Sequence, residues 1–95
     1  MKNVMYAGHE LLTSDAVADA LLDFVVTLAR TQPPERVSIP AVKDGRVTDV
    51  QLVVTAVTPL AVASSDAHEQ SLPGALRAVE VLRYKASRLD SVGLG

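Results

Sequence analysis

The sequence predicts an α+β domain, built as an α/β two-layer structure: a β-α-β-β-β-α chain in which a mixed four-stranded sheet carries two helices on one face. Three observations predict it. Apolar residues recur at helical spacing over about 15–30 and 72–89, and crowd or alternate as strand residues do before and between those stretches. Asp44-Gly45 stands between two strand-like runs, where a tight hairpin turn is needed. The length, 95 residues, leaves room for one domain, 1–95, and not two.

Each element has its own signal. Asn3 to Ala7 is a short apolar run closed by Gly8, and predicts the first strand. Thr13, Ser14 and Asp15 offer N-cap chemistry, a side-chain oxygen that accepts from an unpaired amide of the first helical turn. The helix that follows carries Val17, Leu21, Phe24 and Leu28 on one stripe. Thr31-Gln32-Pro33-Pro34 stops it, because proline disfavours helical geometry in the residue before it. From Arg36 to Lys43, Val37, Ile39 and Ala41 alternate with Ser38 and Pro40. Pro40 donates no ladder hydrogen bond, which predicts an edge strand or a bulge. Val47 to Thr55 is the third strand, and Thr58-Pro59 ends it with a second hairpin into Leu60 to Ser64. Ser65 to Gln70 reads as polar loop. Pro73 falls in the first turn of the last helix, where its missing N–H costs little. Ala75, Val79, Leu82, Ala86 and Leu89 form that helix's buried stripe, and Gly93-Leu94-Gly95 reads as a tail.

A right-handed crossover makes the first two strands parallel, and two hairpins bring the fourth strand parallel to them. One sheet face then has two helices to cover it and the other has none.

Composition excludes several functions. The formal charge is −2 with no long run of one sign, and aromatic residues are three, Phe24, Tyr6 and Tyr84. Neither the cationic field that displaces counterions from nucleic acid nor a platform for base stacking is present. There is no cysteine, which removes disulfides, thiolate metal sites and cysteine nucleophiles. The first ten residues lack the apolar core of a signal peptide, and no apolar run reaches the roughly 18 residues of a membrane span. The expectation is a cytoplasmic protein with no nucleic-acid or membrane partner and no cofactor.

Hydrophobic residues make up 48% of the chain, mostly Val, Ala and Leu, which is rich for so small a domain. The first helix shows where the excess lies. At about 100° per residue, Asp15, Asp19, Asp23 and Arg30 share a narrow polar arc opposite the main stripe. Leu22, Val26, Ala18 and Ala29 form a second apolar flank beside the aspartates. That flank either packs on the second helix of the same chain or forms a subunit interface, since two-fold dimers are the commonest oligomers. The last helix exposes Arg77, Arg83, Lys85 and Arg88 against Glu80. These cations and the aspartates would steer two copies together, or they are simply a solvated helix face.

The polar constellation with chemical content comes from topology. Ligands of open α/β sheets bind at the carboxyl ends of parallel strands. In the expected arrangement the loops after strands one and four, carrying His9, Glu10, Asp66 and His68, fall at the same edge. Two imidazoles with carboxylates would serve a transition metal or general acid–base chemistry. The spacing matches no known ligand motif, and solvent-exposed loop histidines are the simpler account of these residues. Phosphate-loop and serine-elbow patterns are absent.

Val37-Ser38-Ile39-Pro40, Val42, Asp44-Gly45 and Val47, with the break at Thr55 to Pro59 and the opening Tyr6-Ala7-Gly8-His9-Glu10, resemble short uncharacterised proteins of actinobacterial type. The resemblance spans residues 4 to 64 and implies no activity. The functional expectation is therefore a non-catalytic interaction module, a homo-oligomer or a small subunit of a larger assembly. A small-ligand or metal-binding domain using the two histidine loops is the alternative.

Overall fold

The run expected as a lone first strand is one half of a hairpin. In the computed structural model, which describes residues 1–93, the order is β1 (Lys2–Tyr6), β2 (His9–Thr13), α1 (Asp15–Thr27), β3 (Glu35–Lys43), β4 (Arg46–Val54), β5 (Leu60–Ser64) and α2 (Ala75–Gly93). β1 pairs with β2 from Lys2↔Thr13 to Tyr6↔His9. The two turn residues, Ala7 (φ 49°) and Gly8 (φ 82°), both take positive φ, as a type I′ turn requires. The α+β class holds, but the sheet has five strands in the order β4-β3-β2-β1-β5, and every pairing is antiparallel. The mixed sheet with parallel strands is thereby corrected. A crossover from β1 is not needed, because β2 returns the chain before the helix begins.

Ser14 caps α1: its Oγ accepts from the Val17 N–H at 3.2 Å. The helix stops at Thr27, well short of the prolines. Its last residues, Val25-Val26-Thr27, are β-branched and stiff in a helix, and Thr27 Oγ1 donates to the Phe24 carbonyl at 2.6 Å. Leu28 turns extended (ψ 132°) and keeps its side chain in the core. α2 starts later than expected. Leu72-Pro73-Gly74-Ala75 form a turn closed by Ala75 N–H to Leu72 O at 3.0 Å, with Gly74 at φ 86° as a type II turn requires. The helix then runs through Gly93, the first residue of the expected tail; Leu94 and Gly95 lie outside the described residues.

β3 and β4 form the hairpin that Asp44-Gly45 announces, in register from Glu35↔Val54 to Lys43↔Arg46. Counted from that closing pair, Pro40↔Asp49 is a position at which neither backbone faces the partner strand. The missing N–H of Pro40 therefore costs no ladder bond. On its other side β3 meets β2 at one pair only, Leu12↔Val42. The hairpin swings out of plane from that junction. Tyr6 Oη, at the end of β1, donates to the Val53 carbonyl of β4 at 2.6 Å. In a flat sheet those strands would lie three spacings, about 14 Å, apart. The sheet is curled.

Residues 55–59 make a local turn, in which Thr55 N–H donates to Thr58 Oγ1 at 2.7 Å and Thr58 N–H to Thr55 O at 3.1 Å. This is not the second hairpin expected there. The turn hands the chain from β4 to β5, which stand at opposite ends of the strand order, and β5 pairs antiparallel with β1.

The core lies inside the curl. Val4 and Leu11 from the first hairpin, Val17, Leu21 and Phe24 from α1, Val37 and Ile39 from β3, Leu52 and Val54 from β4, and Leu82 from α2 form one cluster. α1 lies over β1 and β5, and α2 lies beside α1 and along β3. Both helices thus share one side of the sheet. The expected stripe of α2 holds in place: Ala75, Val79, Ala86 and Leu89 pack partly buried around Ala78 and Leu82.

Candidate interaction surface

β1 and β5 decide the fate of the histidine constellation. His9 stands opposite Tyr6, and Tyr6 opposite Leu60, at one end of β5; Asp66 and His68 follow Ser64 at the other end. Five-residue strands separate the two loops by about 13 Å. The convergence rested on parallel strands, and the antiparallel sheet removes it. His9, Glu10, Asp66 and His68 are all exposed. Among the described residues, no group of three or more His, Asp or Glu side chains is placed to hold a metal ion. His9 and Glu10 instead border an open depression of about 600 Å³ with Tyr6, Gly8, Pro59 and Leu60. The Tyr6 hydroxyl there is already committed to the Val53 carbonyl.

The apolar flank of α1 fares differently. Val26 is 77% exposed and Leu22 half-buried, but Ala18 is buried in the core, and Ala29 lies exposed beyond the helix end, where helical spacing no longer places it on the flank. α2 does not cover this flank. It approaches α1 on the Asp23 side, where Arg83 reaches Asp23 at 2.6 Å. On the helix, Val26 falls within the arc of Asp15, Asp19 and Asp23 and opposite Val17, Leu21 and Phe24, so it points away from the core into solvent.

β5 itself, Leu-Ala-Val-Ala-Ser, carries no charge, and among the described strands it pairs with β1 alone. Its outer edge offers backbone donors and acceptors, flanked by the exposed Ala61 and Ala63. The other edge strand is treated differently: Tyr6 caps the Val53 carbonyl of β4. Nothing local marks β5 as an edge, because strand order follows from pairings made across the whole chain.

Charge steering between copies loses its acidic half. Asp15 lies 3.1 Å from the Met1 ammonium, Asp19 accepts from Lys2 Nζ at 2.8 Å, and Asp23 pairs with Arg83. Hydrogen bonds from the Met1 ammonium to Glu69 and then Asp15 raise its pKa, and the hydrogen bond to Asp19 raises that of Lys2. All three aspartates of the α1 arc are compensated within the chain.

No family model matches the chain, and neither a curated protein nor a solved structure matches it. Among the described residues, no helix is long and apolar enough to cross a membrane.

Proposed function

We propose that this protein is a non-catalytic interaction module that assembles with itself. The contact is the outer edge of β5 together with the Leu22–Val26 flank of α1. The single observation that carries this reading is the edge of β5, which is uncharged and, among the described strands, paired with β1 alone; α1, which packs against β5, adds the exposed Val26. Two β5 edges joined antiparallel about a two-fold axis continue one sheet into the next, and the same axis brings one α1 flank against the other. An edge left open in this way otherwise invites uncontrolled pairing, and a closed dimer removes the hazard.

Native mass spectrometry of untagged protein at high micromolar concentration tests the proposal. The expected result is twice the chain mass, falling to a monomer in Val26→Asp. Leu76→Asp, on an equally exposed residue of α2 (74%), stays dimeric. A wild-type monomer across the whole range rules out self-assembly, and leaves a different protein as the occupant of this surface.

A further inference from the structure

A groove of about 400 Å³ runs between α2 and β3. Two ladders of side chains build it. α2 contributes Arg77, Val81 and Lys85 at four-residue spacing, which sets them on one helix face. β3 contributes Arg36, Ser38 and Pro40 at two-residue spacing, which sets them on one strand face. Lys85 Nζ approaches the Arg36 carbonyl at 3.4 Å, so the ladders meet at that end. Lys85 is partly neutralised by Glu35 at 3.6 Å. Arg36 and Arg77 have no ion pair among the described residues. Among the described residues, Asp49 is the one carboxylate in the lining, against three cations.

We propose that this groove binds a small molecule bearing a phosphate group. The guanidinium forks of Arg36 and Arg77 match phosphate oxygens in geometry and charge. The Ser38 hydroxyl supplies a further donor. Val81, with the largely buried Ala78 beside it, gives the groove an apolar side for the body of such a ligand. The volume suits a small molecule, and the chain as a whole, at net charge −2, has no general attraction for anions. The site shares no residue with the proposed dimer contact, so neither proposal depends on the other.

The test is an amide ¹H–¹⁵N correlation spectrum of the full chain titrated with pyrophosphate, with sodium chloride holding ionic strength constant. Saturable shifts are expected at Arg36, Ser38, Arg77, Ala78 and Val81. Arg36→Gln/Arg77→Gln weakens the apparent affinity at least about tenfold. Arg46→Gln, at the tip of the β3–β4 hairpin, leaves it unchanged. An unaltered spectrum elsewhere in the double variant shows that the fold is kept. Shifts that spread over every cation without saturating, or that persist in the double variant, overturn the site. Tighter saturation of the same amides by citrate overturns the phosphate assignment.

Discussion

Thr13 shows how one hydroxyl decides a junction. It is fully buried, and its Oγ1 donates to the Pro40 carbonyl at 2.7 Å. That carbonyl faces the side of β3 that β2 has almost left, where no strand amide reaches it. Thr13→Val keeps the shape and removes the donor. It is expected to cost about 1–3 kcal/mol in urea unfolding, the penalty of a buried acceptor left unpaired. Thr13→Ser keeps the bond and costs about 1 kcal/mol, for the lost methyl. The Ser14 cap was legible in the sequence, because its acceptor and donor lie three residues apart. The Thr13 bond was not, because its acceptor lies 27 residues away. The Met1 ammonium makes a second prediction. Hydrogen bonds to Glu69 first, then Asp15, raise its pKa above the ordinary 8.0. A cation with a raised folded pKa contributes stability that is fully present below the unfolded value and is lost as pH rises through the folded one. For the chain with a free Met1 amine, the melting temperature falls as pH rises above about 8. Glu69→Gln flattens that fall.

At the scale of the element, the two hairpins carry the contrast between what could be read and what could not. Asp44 (φ 53°) and Gly45 (φ 77°) occupy a type I′ turn with residues suited to it, and the β3–β4 hairpin was legible. Ala7-Gly8 makes the same turn with an alanine at φ 49°, a conformation an L side chain resists. Gly8 alone reads as a stop, so β1 was found and its partner was not. β2 also opens with His9-Glu10, both exposed, which breaks the alternation that marks a half-buried strand. The missed hairpin changed the strand directions, and with them the histidine site. Ala7→Asn therefore stabilises the domain by about 1 kcal/mol, read as a shift of the urea midpoint with an unchanged slope. No such gain follows at Asp44, whose side chain already tolerates left-handed geometry. The helices were legible within a few residues because caps and stripes are local. The early end of α1 was not, because Leu28 leaves the helix to join a core assembled from distant strands.

At the scale of the whole molecule, the curl decides which surfaces remain open. It carries β4 to Tyr6 and caps part of that edge, α2 lies along the free side of β3, and β5 is left with one partner. The α+β class was legible; the free edge of β5 was not, since it depends on all four pairings. The charges give the proposed assembly a measurable character. If the acidic arc of α1 drew in the cations of a second copy, dissociation would rise steeply with salt. Asp15, Asp19 and Asp23 are each held by a cation of their own chain, so little charge remains for that role. A contact made of strand-edge hydrogen bonds and apolar side chains is almost blind to screening. Raising sodium chloride from about 50 to about 500 mM therefore changes the dimer Kd by less than about threefold in analytical ultracentrifugation. Ala63→Lys, which sets a charge on the β5 edge, raises Kd by more than about tenfold, as lysines guard edge strands against pairing. A Kd that climbs with salt and ignores Ala63→Lys assigns the contact to the charged helix faces and removes β5 from it.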